Sequence, residues 1–246
     1  MANILLTGAS RGIGAAARTA LVAAGHHVIG QSTGGGDGLI AADFATPGAG
    51  DVLWDTALAA APGGRIDVLV NNAGVFEAAD IGDAAGFAAA WARSHAINLQ
   101  SAADLCRRAV LHFKDIGGAT RAAEGGPDAY KRIVNVASRA GHRGDSPAHW
   151  HYAAAKAGMI GMTKSIARGY ARDNILAFAI APGFTMTGMA EEYLSSRGGD
   201  KLLADIPLGR VADAAEVAEA IRWLASEAPA SLTGSTLDIN GASYVR

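Results

Sequence analysis

The sequence predicts an α/β fold, a doubly wound parallel sheet of about seven strands in a single domain covering residues 1–246. Three observations carry that expectation. Short apolar runs bounded by Gly, Asn or Pro alternate with Ala-rich helical stretches, and strands covered on both faces read as such runs. The first run passes directly into a glycine-rich turn and a helix, "TGASRGIG" at 7–14. The length, 246 residues and 24.9 kDa, suffices for one substantial core.

In chain order, "NILLTG" (3–8) is the first strand and 12–24 the helix that follows it. "HHVIGQ" (26–31) and "LIAADF" (39–44) are the second and third strands, separated only by "STGGGDG". A parallel crossover takes about a dozen residues or more, so the helix between these two strands is expected to be missing. A helix at 50–61, the strand "IDVLVN" (66–71), a long helix at 84–113 and the strand "RIVNVA" (132–137) come next. A helix at 151–171, the strand "ILAFAIA" (175–181), a helix at 213–226 and the strand "STLDIN" (235–240) complete the pattern. The stretch "GGATRAAEGGPDAYK" (117–131) reads as a solvated insertion at the sheet edge opposite the expected site.

Composition narrows the partners. With 21 basic and 23 acidic residues spread along the chain, there is no basic stripe for nucleic acid and no acidic tail, so small molecules are the expected partners. Cys106 is the only cysteine, which precludes an internal disulfide and is compatible with a reducing compartment. No apolar run reaches bilayer length and "MANILLTGAS" lacks a basic leader region, so a soluble cytoplasmic protein with no membrane partner is expected. The seven histidines show no metal-ligand spacing, and no catalytic metal is expected.

Two motifs carry chemistry. Gly8, Gly12 and Gly14 occupy the turn between the first strand and its helix, where glycines let a phosphate approach the amides and positive dipole of a helix N-terminus; a close-packed turn is the other reading. Tyr152 and Lys156, in "YAAAK", project from one helical face about one turn apart. A free phenol has a pKa near ~10, and a nearby ammonium stabilises its anion, so the pair suits acid/base work; a solvated surface pair is the bland alternative.

"TGASRGIG" at 7–14, "NNAG" at 71–74, "YAAAK" at 152–156, "PG" at 182–183 and the ending "LTGSTLDINGA" together resemble the short-chain dehydrogenase/reductase family over nearly the whole chain. The general likeness is to its 3-oxoacyl-carrier-protein reductases, and it is shared by reductases of sugars, steroids and small ketones. The resemblance implies a Rossmann-type fold and a catalytic set of Asn98, Ser138, Tyr152 and Lys156. In that set Tyr152 is the acid/base and Lys156 lowers its pKa and bonds the nicotinamide ribose. Ser138 orients the substrate carbonyl, and Asn98 distorts its helix and holds a relay water.

For the cofactor, the resemblance implies Gly8, Ser10, Arg11, Gly12, Ile13 and Gly14 around the phosphates, and Asn72, Ala73 and Gly74 along its path. Asp43, beside Phe44, resembles an adenine-binding carboxylate, a plain turn Asp being the alternative. Pro182 and Gly183 fall near the nicotinamide with Thr185 and Thr187, of which Thr187 is favoured. Departures from the family pattern are Phe178, where an Asn is often seen, and the "NGA" ending in place of Gly-Gly. The activity implied is interconversion of a carbonyl and a secondary alcohol by hydride transfer. A catalytically silent dinucleotide sensor or scaffold is the alternative.

Cofactor choice follows charge. The second strand ends in "GQSTGGG" with no acid before Asp37, while Arg11, Ser32 and Thr33 offer a cation and hydroxyls, so NADP(H) is favoured over NAD(H). The segment "RAGHRGDSPAHWH" between Ser138 and Tyr152 predicts a polar pocket, with His149 and Trp150 on the approach to Tyr152, His142 and Arg143 as further donors, and 188–207 as a lid. A solvated Arg143–Asp145 pair is the competing reading. Ala154, Ala155, Gly158, Met159 and Met162 form a small-residue and Met surface on the Tyr152 helix, part of which could instead pack on the sheet. The resemblance implies a homotetramer built on paired long helices, with a dimer second.

Overall fold

A computed structural model describes residues 1–116, 130–186 and 199–246. The chain begins with β1 (Asn3–Leu6), α1 (Gly12–Ala23), β2 (His27–Ser32) and β3 (Ile40–Ala41). It continues through α2 (Ala49–Ala60), β4 (Val68–Asn71), α3 (Ala84–His95), a π-helical turn (Ala96–Gln100) and α4 (Ser101–Asp115). Next come β5 (Lys131–Val136), the short α5 (Ala140–Arg143), α6 (Trp150–Tyr170), β6 (Ile175–Pro182) and β7 (Thr185–Met186). The remaining elements are α7 (Gly199–Ala204), β8 (Ala212–Asp213), α8 (Ala214–Ser226) and β9 (Thr236–Ile239).

Seven strands form one parallel sheet in the order β3-β2-β1-β4-β5-β6-β9, and β7 pairs with β8 apart from it. The chain fills the sheet in one direction from β1 and then returns to start again at β4. This reversal opens a crevice beyond the carboxyl ends of β1 and β4, the position where such sheets take ligands.

Alternation along the strands separates two cores. Ile4 and Leu6 of β1, with Leu176, Phe178 and Ile180 of β6, pack on one face against Leu21 of α1 and Ile221 and Leu224 of α8. Leu5, Leu69, Ile133 and Ala177 point to the other face, against Trp54 of α2, Leu105 and Phe113 of α4 and Ile166 of α6. Phe178 is fully buried, so the departure from the family pattern at this position is a core side chain, worth about 1.5–3 kcal/mol of transfer energy.

The β2–β3 connection contains no helix, as its length demands. Gly35, Gly36, Asp37 and Gly38 all have positive φ, and Leu39 N donates to Gly36 O at 2.8 Å. A tight left-handed turn takes the place of the crossover helix. Two expectations change. The long helix expected at 84–113 is interrupted by the π turn at Ala96–Gln100. Lys131 belongs to β5 rather than to the insertion, where its ammonium meets the carboxylate of buried Asp67 at 2.6 Å; residues 117–129 lie outside the described residues.

Candidate active site

The crevice is built first from backbone. Gly8 takes φ +66°, and a Cβ there would come within 2.8 Å of Ala73 Cα. Gly12 takes φ +54°. A Cβ on Gly14 would lie 1.9 Å from Gly8 O, so the third glycine lets the helix close against the turn. Two side chains lock this packing. Asn72 Nδ2 donates to Thr7 O at 3.0 Å and to Gly8 O at 3.1 Å, while Thr7 Oγ1 accepts from the backbone N–H groups of Asn72 and Ala73. Gln31, which sequence reasoning missed, accepts from Gly8 N at 2.8 Å and donates to Ala42 O at 2.7 Å, tying the turn to β2 and β3.

The arrangement fits a dinucleotide phosphate. Helix α1 has no side-chain cap and no acid in its first turn, so its N-terminal amides and dipole are left for an anion. Ser10 and Arg11 are exposed beside it, and their side chains make no hydrogen bond or ion pair among the described residues. Ile13 packs toward the α1 side of the sheet instead.

Further along the path the expected contacts divide. Ser32 is buried and its hydroxyl donates to Gly35 O at 3.2 Å, whereas Thr33 is exposed. Asp43 is exposed and accepts from Ala45 N at 2.9 Å, an ordinary turn bond; Phe44 is buried in the core, so its side chain is not on the surface of the crevice. Gly183 sits so close to Asn240 that a Cβ would come within 2.8 Å of Asn240 Cβ, and Thr185 is buried with its hydroxyl on Gly183 O. Pro182 ends β6, its carbonyl accepting from Arg139 N at 2.9 Å. Thr187 and residues 188–198 of the expected lid lie outside the described residues.

The four residues of the catalytic set converge at the carboxyl end of β4 and β5. Asn98 lies in the π turn and is fully buried. Its Nδ2 donates to Val75 O and Ser94 Oγ, and its Oδ1 accepts from Val75 N at 2.9 Å. The expected helix distortion is therefore present, and the Asn98 side chain is spent on holding the segment after β4. A Cβ on Gly74 would come within 2.8 Å of Asn98 Oδ1 and 3.6 Å of Lys156 Nζ, so only glycine fits between them.

Lys156 is 4 % exposed, donates to Val136 O at 2.8 Å, and has its pKa pushed down to about 8 by burial. Its Nζ lies 5.8 Å from the centre of the Tyr152 ring. Ser138 Oγ accepts from Ala140 N at 3.1 Å and acts on the Tyr152 hydroxyl to lower its pKa. Burial pushes the Tyr152 pKa above its ordinary value, Ser138 opposes this, and the Asp145 carboxylate adds to it. The net shift is therefore upward, against the expected lowering, and Lys156 is not among its causes, so the phenol is held protonated at neutral pH.

Phe76 is a second residue that sequence reasoning missed. It stands edge-on to Tyr152 at 4.9 Å and stacks on His149 at 3.8 Å with the rings 1° from parallel. Its position just past "NNAG", at the carboxyl end of β4, was the available signal. The segment after β4 is anchored on α6 by His151 Nε2, which donates to Glu77 O, and by Ala79 N, which donates to Ala148 O.

The other expected pocket residues face elsewhere. Trp150 is 51 % exposed and stands edge-on to Phe87 of α3 at 5.9 Å. His142 stacks on Tyr244 at 5.4 Å, and Arg143 binds Asp205 and Ser243 O, each at 2.9 Å, rather than Asp145. On α6, Ala155 and Met159 are buried inside the chain, while Ala154 is exposed. Among the described residues, no group of three or more His, Cys, Asp or Glu side chains is placed to hold a metal, and no helix is long and apolar enough to cross a membrane.

Known proteins resemble the chain over nearly its whole length. The profile of a family described as enoyl-(acyl carrier protein) reductase matches residues 8–242. The chain is similar to 3-oxoacyl-[acyl-carrier-protein] reductase FabG of Escherichia coli K12, 34% identical over 257 residues, covering 98% of this chain and 96% of the relative. It is also similar to acetoacetyl-CoA reductase of Rhizobium meliloti, 32% identical over 250 residues, covering 98% and 97%. Among solved structures, it superposes on a putative 2-deoxy-d-gluconate 3-dehydrogenase of Agrobacterium tumefaciens with bound NADP. The TM-score is 0.83 and the identity 27%, over 100% of this chain and 97% of that one.

Proposed function

The chain belongs to the short-chain dehydrogenase/reductase family and is an NAD(P)-dependent oxidoreductase of carbonyl and alcohol groups, and we propose that Tyr152 is its acid/base, with Ser138, Lys156 and Asn98 in support. The observation that carries the assignment is the placing of Tyr152 with its ring 5.8 Å from the buried Lys156 ammonium and its hydroxyl under the influence of Ser138, at the end of the sheet. When bound, the nicotinamide supplies hydride to the carbonyl carbon, or takes it from the alcohol carbon in the reverse direction.

In reduction, Tyr152 passes its proton to the carbonyl oxygen, and the elevated phenol pKa keeps that proton available at neutral pH. Ser138 holds the same oxygen. Lys156 uses one donor on Val136 O, leaving the others for the tyrosine side and the ribose. Asn98 acts through the backbone of Val75, which keeps Gly74 against Lys156.

NADP(H) is the favoured cofactor. Nothing acidic ends β2, and Arg11 stands exposed and unpaired among the described residues at the start of α1. A relative of the same fold binds NADP. Initial rates with NADPH and NADH in wild type and Arg11→Ala test this. A preference for NADH that the substitution leaves untouched would refute it.

The acid/base assignment is tested with Tyr152→Phe, for which kcat/KM falls by about 10²–10⁴. A purified chain that binds a dinucleotide yet turns over nothing across carbonyls and alcohols would instead support the sensor reading.

For assembly we favour a homotetramer over a dimer. A groove of about 260 Å³ between α4 and α6 is lined by Ala103, Val110, Leu111 and Met162 beside Arg107, a mostly apolar strip suited to pairing of these helices. Light scattering at micromolar concentration measures the mass, and a monomer would contradict it. The cytoplasm is the proposed location: the lone Cys106 is buried, with its pKa pushed up to about 12, as suits a thiol kept reduced and inert.

A further inference from the structure

Tyr152 and Lys156 lie four residues apart on one face of α6, and His149 immediately precedes that helix, three residues before Tyr152. The imidazole of His149 is held in place from two directions. One face stacks on Phe76 at 3.8 Å, and Nδ1 is hydrogen-bonded to Ser146 Oγ at 2.7 Å. Asp145 Oδ1 lies 4.0 Å from the same nitrogen and accepts from Ser146 N. Phe76 in turn meets the Tyr152 ring edge-on, so imidazole, phenyl and phenol form a continuous wall. With Nδ1 engaged, His149 Nε2 has no protein partner among the described residues, although the side chain is only 13 % exposed.

We propose that His149 Nε2 reads a hydroxyl group on the carbon next to the reacting one, so that the preferred substrates are neutral α-hydroxy ketones and the corresponding vicinal diols. The proposal rests on the reading of Tyr152 as acid/base and deepens it. His149 stands just before the first turn of α6 and Tyr152 within that turn, and both rings meet Phe76, so a reacting oxygen at Tyr152 has its neighbouring carbon on the side where His149 stands.

Charge selects the hydroxyl over a carboxylate. Burial holds the His149 pKa below its ordinary value, so the ring is neutral at pH 7, and the adjacent Asp145 carboxylate disfavours a second anion. A neutral imidazole serves a hydroxyl as either donor or acceptor. Substrates lacking the hydroxyl leave Nε2 without its partner, and this cost makes a polar site discriminate.

The test uses matched pairs with NADPH: 3-hydroxybutan-2-one against butan-2-one, and 2-hydroxycyclohexanone against cyclohexanone. Acetoacetate and acetoacetyl-CoA represent anionic and thioester substrates. The readout is the ratio of kcat/KM within each pair. Wild type is expected to favour the hydroxy ketone by about 10-fold or more. His149→Phe, which keeps a ring to stack on Phe76 but has no nitrogen, brings the ratio to near unity. His149→Gln, which restores a side-chain donor and acceptor, recovers part of it, and serves as the comparison should the Phe variant fold poorly.

A wild-type ratio near one overturns the proposal. So does a ratio that both His149 variants leave unchanged, or a thioester or carboxylate that outperforms both hydroxy ketones. Tyr152→Phe separates the two levels: if it abolishes turnover of every substrate while the ratios show no dependence on His149, the acid/base reading stands and the hydroxyl reading falls. If turnover survives Tyr152→Phe, the underlying reading fails itself.

Discussion

Substituting Gly14 by Ala tests how the glycine turn works. Helix propensity alone favours the change, by about 1 kcal/mol for an interior helical position. Packing opposes it far more strongly. The new Cβ would stand 1.9 Å from Gly8 O, 2.8 Å from Gly8 C and 2.6 Å from Asn72 Nδ2. Two of these atoms are backbone, and the third belongs to a side chain already committed to Thr7 O and Gly8 O, so relief requires moving the turn itself. Overpacking of this kind costs about 1–3 kcal/mol and sometimes more, and breaking the Asn72 clamp adds about 1 kcal/mol for each bond lost. The net destabilisation is about 2–4 kcal/mol, which for a chain of this length lowers Tm by roughly 4–16 °C. Gly169, also helical, has nothing within 4 Å of its Cβ position, so Gly169→Ala is the control and is expected to hold or slightly raise Tm. Thermal unfolding by circular dichroism, with fluorescence titration of NADPH, measures both properties. A Gly14→Ala protein as stable as wild type, with unchanged NADPH affinity, would refute the close-packing account.

Other predictions address single buried groups. Asn98→Ala strips partners from both Val75 N and Val75 O, costing about 1–3 kcal/mol, and thermal unfolding should show Tm lowered by at least about 2 °C. In Asp67, burial acts to raise the pKa, but hydrogen bonds from Lys131 and Asn3 N and the charges of Lys131 and Arg65 outweigh it and leave the carboxyl lowered. This stability is present above the unfolded pKa of about 3.9 and is lost as pH falls through the folded value, so urea unfolding of Asp67→Asn should lack the wild type's acid-side loss. Asp67→Asn should also be about 3–5 kcal/mol less stable at pH 7, because Lys131 is left buried and unpaired. Lys156 changes stability with pH in the same direction, at the alkaline end. Its folded pKa of about 8 is below the unfolded value near 10.4, so wild-type stability relative to Lys156→Met should climb with pH across that window, and a flat difference in urea unfolding would count against burial of the charged form.

The sheet was legible because its strands are buried on both faces and therefore contrast with the helices in length and residue type. The missing helix between β2 and β3 followed from chain length alone. The π turn at Asn98 was not legible as such: its geometry depends on Asn98 reaching Val75, a contact that arises only when two distant segments meet. Gln31 and Phe76 escaped for the same reason. Asp43 and Phe44 match the family pattern in sequence, yet one makes a turn bond and the other faces the core. Trp150 was placed on the wrong side for a reason the sequence did contain. At about 100° per residue, positions 152 and 156 share one helical face, whereas position 150 lies roughly 160° from position 152.

Unspent hydrogen-bonding capacity separates scaffold from contact more sharply than motif membership does. Asn72 and Asn98 belong to the recognised motifs, but their side chains are already engaged by backbone, and their chemistry is to hold the turn after β1 and the segment after β4. Ser10 and Arg11 beside the start of α1, the remaining donors of Lys156, and Nε2 of His149 retain capacity, and all lie along the carboxyl edge of the sheet or on the helix face above it. A buried or half-buried group that stays unpaired costs stability. Exposed Ser10 and Arg11 are solvated and carry no such cost; it falls on the half-buried His149 Nε2, where a ligand would relieve it, while Asn72 and Asn98 are satisfied where the backbone must be kept rigid.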